Sequence, residues 1–231
     1  LPLKPSKVLT IRELSDLSVR SKEIVMINWD EFEHIHVIKK LKQILGKWWN
    51  IDVVFTDERG HLRGFDKTKM TFMNPGVAAY MAKESALDNF AETVTKTIDD
   101  LRLSENRYAI RKWDMAAFDM AVFPITIDND FMGTVVALGF LKDPSSSQRL
   151  SEIRERMAAF GCGADVIETA LSRTKYLDDS DREHFVELVE LVAQEIVTLH
   201  VEITTRENRI RELNKELGSR YKYDNMIGKS K

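Results

Sequence analysis

The chain has 231 residues, enough for one large domain or a domain with an appendage, and able to bury about 70% of its unfolded surface without disulfides or metal. Hydrophobic residues make up 43% and charged residues 31%, which fits a soluble globular protein and excludes a disordered one. Lys and Arg number 34 against 37 Asp and Glu, so the net charge is −3 and no bulk positive field exists to attract nucleic acid or anionic lipid.

Cys162 is the single cysteine. It excludes a disulfide within the chain and a Cys-rich zinc site, and it fits a reducing compartment. No stretch approaches the ~18 apolar residues of a membrane span. The opening Leu1-Pro2-Leu3-Lys4-Pro5 is not a signal peptide, because no apolar core follows its lysines. It also lacks an initiator Met, so the chain reads as a piece of a longer protein.

In chain order, Ile24-Val25-Met26-Ile27 is a candidate short strand. Asn28 with Glu31 three positions on has the pattern of a capping box, in which each side chain satisfies an open backbone N–H. A helix is expected from about Trp29 to Trp48, its apolar stripe carried by Phe32, Ile35, Ile38, Leu41 and Leu45. Residues 51–56, a turn at Asp57-Glu58-Arg59-Gly60, and residues 61–65 read as a hairpin. A helix over 79–103 follows, then strands at 106–112 and 120–127, a turn at Asp128-Asn129-Asp130, and a β-rich run from Phe131 to Phe140. The Asp143–Ser147 loop leads to helices at about 148–160, 164–173 and 179–220. Helices and antiparallel strands do not alternate as βαβ units, so the fold class is α+β with a central sheet.

The last helix carries a heptad pattern. Phe185, Val189, Val192, Ile196, Leu199, Ile203, Arg206, Ile210, Leu213 and Leu217 alternate at spacings of four and three. With Val189, Ile196, Ile203, Ile210 and Leu217 at a, the d positions are Val192, Leu199, Arg206 and Leu213. β-Branched residues at a with Leu at d favour a parallel two-stranded coil, so a homodimer through this helix is expected. The competing reading packs the helix on its own domain. A stretch of this length spans about 50 Å, longer than such a domain is thick, so its C-terminal half is expected to project. Arg206 interrupts the seam as a register pin or a soft point.

Catalytic and metal signatures are absent. His34 and His36 lie two apart in an expected helix, where they do not share a face. His184 and Glu187 share a face but have no companion ligands, which fits a solvated surface. Cys162 between two glycines reads as a small buried hydrophobe. Gly228-Lys229-Ser230 is not a phosphate loop, because the glycine needed five positions earlier is Tyr223. Aromatic and Met residues gather around 48–80 and 108–123, mostly as core. Their alternative is an aromatic-lined ligand pocket built from Phe72, Tyr80, Trp113 and Phe123, with Asn74 and Arg111 as polar anchors.

Two stretches carry a family resemblance. Tyr223-Asp224-Asn225-Met226-Ile227-Gly228-Lys229-Ser230 resembles the entry to the AAA+ ATPase domain of sigma-54-dependent transcriptional activators. Residues 49–60, with Phe123–Ile127 and Met132–Gly139, are similar to the first hairpin and paired strands of PocR-type and GAF-like sensory domains. PocR-type domains often carry paired cysteines and this chain has no pair, which removes support for cysteine-based redox or metal chemistry.

The resemblance implies a GAF/PAS-like antiparallel sheet flanked by helices, with a long C-terminal coiled-coil helix. It divides the chain into an extension at 1–27, a sensory domain at 28–180, a dimerising coil at 181–220 and the start of a truncated AAA+ domain at 221–231. It implies a cytoplasmic, non-enzymatic signalling module, without nucleic-acid or membrane contacts of its own, that controls a downstream ATPase acting on sigma-54 RNA polymerase at DNA. No cofactor is expected in this stretch, ATP and Mg belong to the missing domain, and a small-molecule signal is left open. A sensor feeding a diguanylate cyclase or a histidine kinase is the alternative.

Overall fold

The computed structural model describes residues 35–64, 72–104, 106–142 and 147–227, with side chains described for all of these except Ser147 and 219–227. The expected strand at 24–27 and the Asn28–Glu31 cap lie outside the described residues, as do Phe65, most of the Asp143–Ser147 loop and Gly228–Ser230.

The first described helix, α1, is His36–Trp49 rather than a continuous helix from Trp29, because Ile35 is extended (φ −69°, ψ 125°). Ile38, Leu41, Leu45 and Trp49 fall on one buried face. The helix stops at Asn50, left-handed at φ 54°, whose N–H returns to the Gly46 carbonyl.

Strand β1 (Asp52–Thr56) is buried along its whole length and pairs with β2 (Leu62–Arg63). Asp57 builds the turn between them. Its Oδ1 accepts the N–H groups of Arg59 and His61, each at 2.9 Å, and its Oδ2 takes the Arg63 guanidinium at 2.6 Å.

The single helix expected over 79–103 is two. Asn74 caps α2 (Pro75–Met81) by accepting the Gly76 N–H at 2.9 Å, with Pro at the first helical position. Lys83 is extended, and α3 (Glu84–Arg102) starts afresh. The Asn-Pro-Gly sequence was the local signal for the earlier start.

Strands β3 (Ala109–Lys112), β4 (Asp119–Ile127) and β5 (Asp130–Leu141) form an antiparallel run. Asp128 and Asn129, both at positive φ, make the tight turn between β4 and β5 that matches strand twist. Helices α4 (Ser147–Ala159) and α5 (Ala164–Arg173), strand β6 (Lys175–Tyr176) and the 49-residue α6 (Asp179–Ile227) complete the chain. The sheet order is β2-β1-β5-β4-β3, with β6 parallel to the far end of β5.

Both faces of this sheet are covered. On one lie α1 and the first half of α6, with Leu45, Phe185, Val189 and Val192 packed over Val53, Phe55 and Val135. On the other, α2 to α5 enclose Tyr80, Phe90, Trp113, Met120, Val122 and Leu138. A bulge at Gly139 (φ 95°) shifts the register, since Asp119 pairs with Phe140 and Met120 with Leu138. That extra residue turns Phe140 to the α6 face, 5.2 Å from Phe185 between ring centroids. The α+β class, the flanked sheet and the long terminal helix are those of a GAF/PAS-like arrangement. Among the described residues no helix is long and apolar enough to cross a membrane.

Candidate functional site

The residues expected to line one aromatic pocket fall in three places. Phe72, Tyr80 and Trp113 belong to the α2–α5 side of the sheet, with Asn74 capping α2 there. Phe123 projects from the opposite face, toward α6. Position parity along β4 separates it from Met120 and Val122, a signal the sequence already held. Arg111 is on the surface, paired with Asp100 at 3.2 Å.

On the inner side the rings pack on one another. Tyr80 and Trp113 lie 5.6 Å apart, and Phe90 meets Trp113 edge-on at the same distance. The Trp113 indole N–H donates to Asn89 Oδ1 at 3.0 Å. The Tyr80 hydroxyl is buried without a hydrogen-bond partner among the described residues, and burial pushes its pKa up to about 12. Cys162 is half-buried, and burial pushes its thiol up as well, the opposite of an activated nucleophile.

Asn74 is a structural node. It is fully buried, and its amide nitrogen donates to the Ala170 carbonyl at 3.3 Å and to Thr174 Oγ1 at 3.1 Å. It therefore ties the start of α2 to the end of α5. Beside it Asp52, at the head of β1, accepts the Met73 N–H through both carboxylate oxygens, at 2.9 and 3.0 Å. Burial raises the Asp52 pKa to about 7, against the opposing pull of those backbone donors and of Lys42. Residue type and spacing gave no signal for Asp52, since one Asp at a strand head is ordinary.

Arg111 opens onto a cleft of about 500 Å³ at the sheet edge, formed by the end of α3, strand β3, Lys142 after β5 and Arg182 in α6. The sequence singled out Arg111 but not its near neighbour Arg107, nor Lys142 and Arg182, which are remote from it along the chain.

The residues expected at a dimer seam divide in two. Val189, Val192 and Ile196 are fully buried in the domain's own core, so packing on the sheet takes the positions assigned to the partner. Leu199 and Ile203 are half-buried. Arg206 is exposed and reaches Glu202 on its own helix at 3.5 Å. Beyond it Ile210, Leu213 and Leu217 are 58%, 50% and 51% exposed. Helix α6 also runs on through Tyr223 to Ile227, past the coil end expected at 220.

No family model, curated protein or solved structure matches the chain.

Proposed function

We propose that this chain is the signal-sensing regulatory module of a sigma-54-dependent transcriptional activator, cytoplasmic and not itself an enzyme, with α6 as its output. The observation that carries the regulatory reading is the divided stripe of α6. One helix, roughly 70 Å long, is locked into the domain at Val189–Ile196 and presents Ile210, Leu213 and Leu217 to solvent further on. Exposed apolar residues at heptad spacing are costly unless covered. A second copy of the same helix, parallel and in register, covers them, with Ile210 and Leu217 at a and Leu213 at d. A change in the sheet domain then reaches a downstream domain as a change in the geometry of the coil. The sigma-54 assignment rests on the resemblance of Tyr223–Ser230 to the entry of that family's ATPase domain.

Sedimentation velocity of the intact chain tests the dimer. A dimer is expected, and Ile210→Asp with Leu213→Asp returns it to single chains while leaving the circular-dichroism spectrum of the domain unchanged. Leu213→Cys in a Cys162→Ser background forms an intermolecular disulfide only if the two helices run parallel in register. Monomers in the unsubstituted chain, or no cross-link, overturn the reading.

A further inference from the structure

We infer that the cleft at the β3 edge binds a phosphate-bearing small molecule. The chain is net acidic, yet this cleft gathers Arg107, Arg111, Lys142 and Arg182 against the carboxylates of Asp100, in its lining, and Asp179, beside Arg182, an excess of two positive charges among the described residues. Arg111 is paired with Asp100 and Arg182 with Asp179. Arg107 and Lys142 have no ion pair among the described residues, although Lys142 is fixed through its backbone N–H, which donates to Asp119 Oδ2 at 2.7 Å. Like charges brought together repel, and the arrangement is relieved when an anion sits among them.

The shape narrows the ligand. About 500 Å³ lies within the range of small-molecule sites. The cationic groups come from β3 and its lead-in, the end of β5 and the start of α6 and line one cleft, whereas an extended acidic peptide would need a longer edge than the four residues of β3. Tyr108 and Ile110 also line the cleft, half-buried on the α6 side of the sheet, the tyrosine stacked on Phe123 at 5.1 Å. Three guanidinium groups offer forked donors, and a phosphate or diphosphate presents enough oxygens to engage several at once, where a single carboxylate satisfies one. The binding does not depend on the regulatory reading above. Where both hold, Arg182 places the ligand against the first turn of α6.

Isothermal titration of the intact chain with inorganic pyrophosphate at low ionic strength is expected to show saturable binding at one site. Arg107→Gln with Lys142→Gln, which breaks no ion pair among the described residues, is expected to weaken it at least tenfold. Arg107→Lys, which keeps the charge, loses less, and Lys96→Gln on the outer surface of α3 leaves it unchanged. Citrate, an anion of similar charge, is expected to bind more weakly. Absence of saturable binding, or full affinity in the double variant, overturns the site. Citrate binding as tight as pyrophosphate overturns the phosphate assignment.

Discussion

Gly60 closes the β1–β2 turn at φ +79°, where an L side chain is strained. A Cβ there would lie 2.6 Å from the Ala91 carbonyl oxygen of α3, a backbone atom that cannot step aside. Gly60→Ala is therefore expected to lower unfolding free energy by about 2 kcal/mol or more, measured by urea denaturation. Gly163→Ala, at φ −69° with nothing within 4 Å of the new methyl, is expected to cost less than about 1 kcal/mol, since only the N-cap preference for Gly over Ala is lost. Equal losses at the two sites would refute the steric account. Asp52 is the other residue whose environment sets a measurable property. Its folded pKa of about 7 stands above the ordinary 3.8, so the folded chain holds a proton that the unfolded chain has released. The stability this group contributes is complete below pH 3.8, falls as pH rises toward 7, and is level above that. The advantage of Asp52→Asn over the unsubstituted chain should then grow with pH across that window, with a slope of at most about 1.4 kcal/mol per pH unit. Parallel stability curves for the two proteins would show that Asp52 titrates normally.

At the scale of elements, α6 is one helix with two environments. Ile196 has no exposed surface and sits in the α1–sheet core, while Ile210, two heptads on, is more than half exposed. Ile196→Ala is expected to cost about 2–4 kcal/mol, from lost burial and the cavity left behind. Ile210→Ala, in the chain diluted until monomeric, should change stability by no more than about 0.5 kcal/mol. Chemical denaturation of both variants checks the contrast, and a large loss at Ile210 would mean that the domain itself covers the distal half. The heptad pattern was legible from the residues alone, but it could not say where the partner changes. A helix packed on a sheet and a helix packed on its twin both ask for an apolar stripe. The split between α2 and α3 was missed for a different reason. Residues 79–103 are rich in helix formers, and the extended Lys83 is held by the packing on either side of it rather than by its own preference.

Across the whole molecule, the β1–β2 hairpin, the β4–β5 turn, helices α4 and α5 and the fold class could be read from alternation, turn residues and helical periodicity, which are local properties. The ligand-pocket expectation did not survive as a single place, because it grouped aromatic residues by nearness in the chain. The sheet, covered on both faces, sends Phe123 to one side and Tyr80 and Trp113 to the other. The basic cleft arises in the reverse way. Arg107, Lys142 and Arg182 lie far apart in the chain, and the meeting of β3, the end of β5 and the start of α6 at one sheet edge brings them together.

By itself the sequence determined most of the elements, the α+β class and the apolar stripe of the last helix, because each depends on the periodic placement of polar and apolar residues along a short stretch. The tertiary structure alone decided which half of that stripe belongs to the domain, why Asp52 keeps its proton near neutral pH, and where four cations meet. Those outcomes depend on burial and on contacts between residues distant in the chain, and no local pattern encodes either.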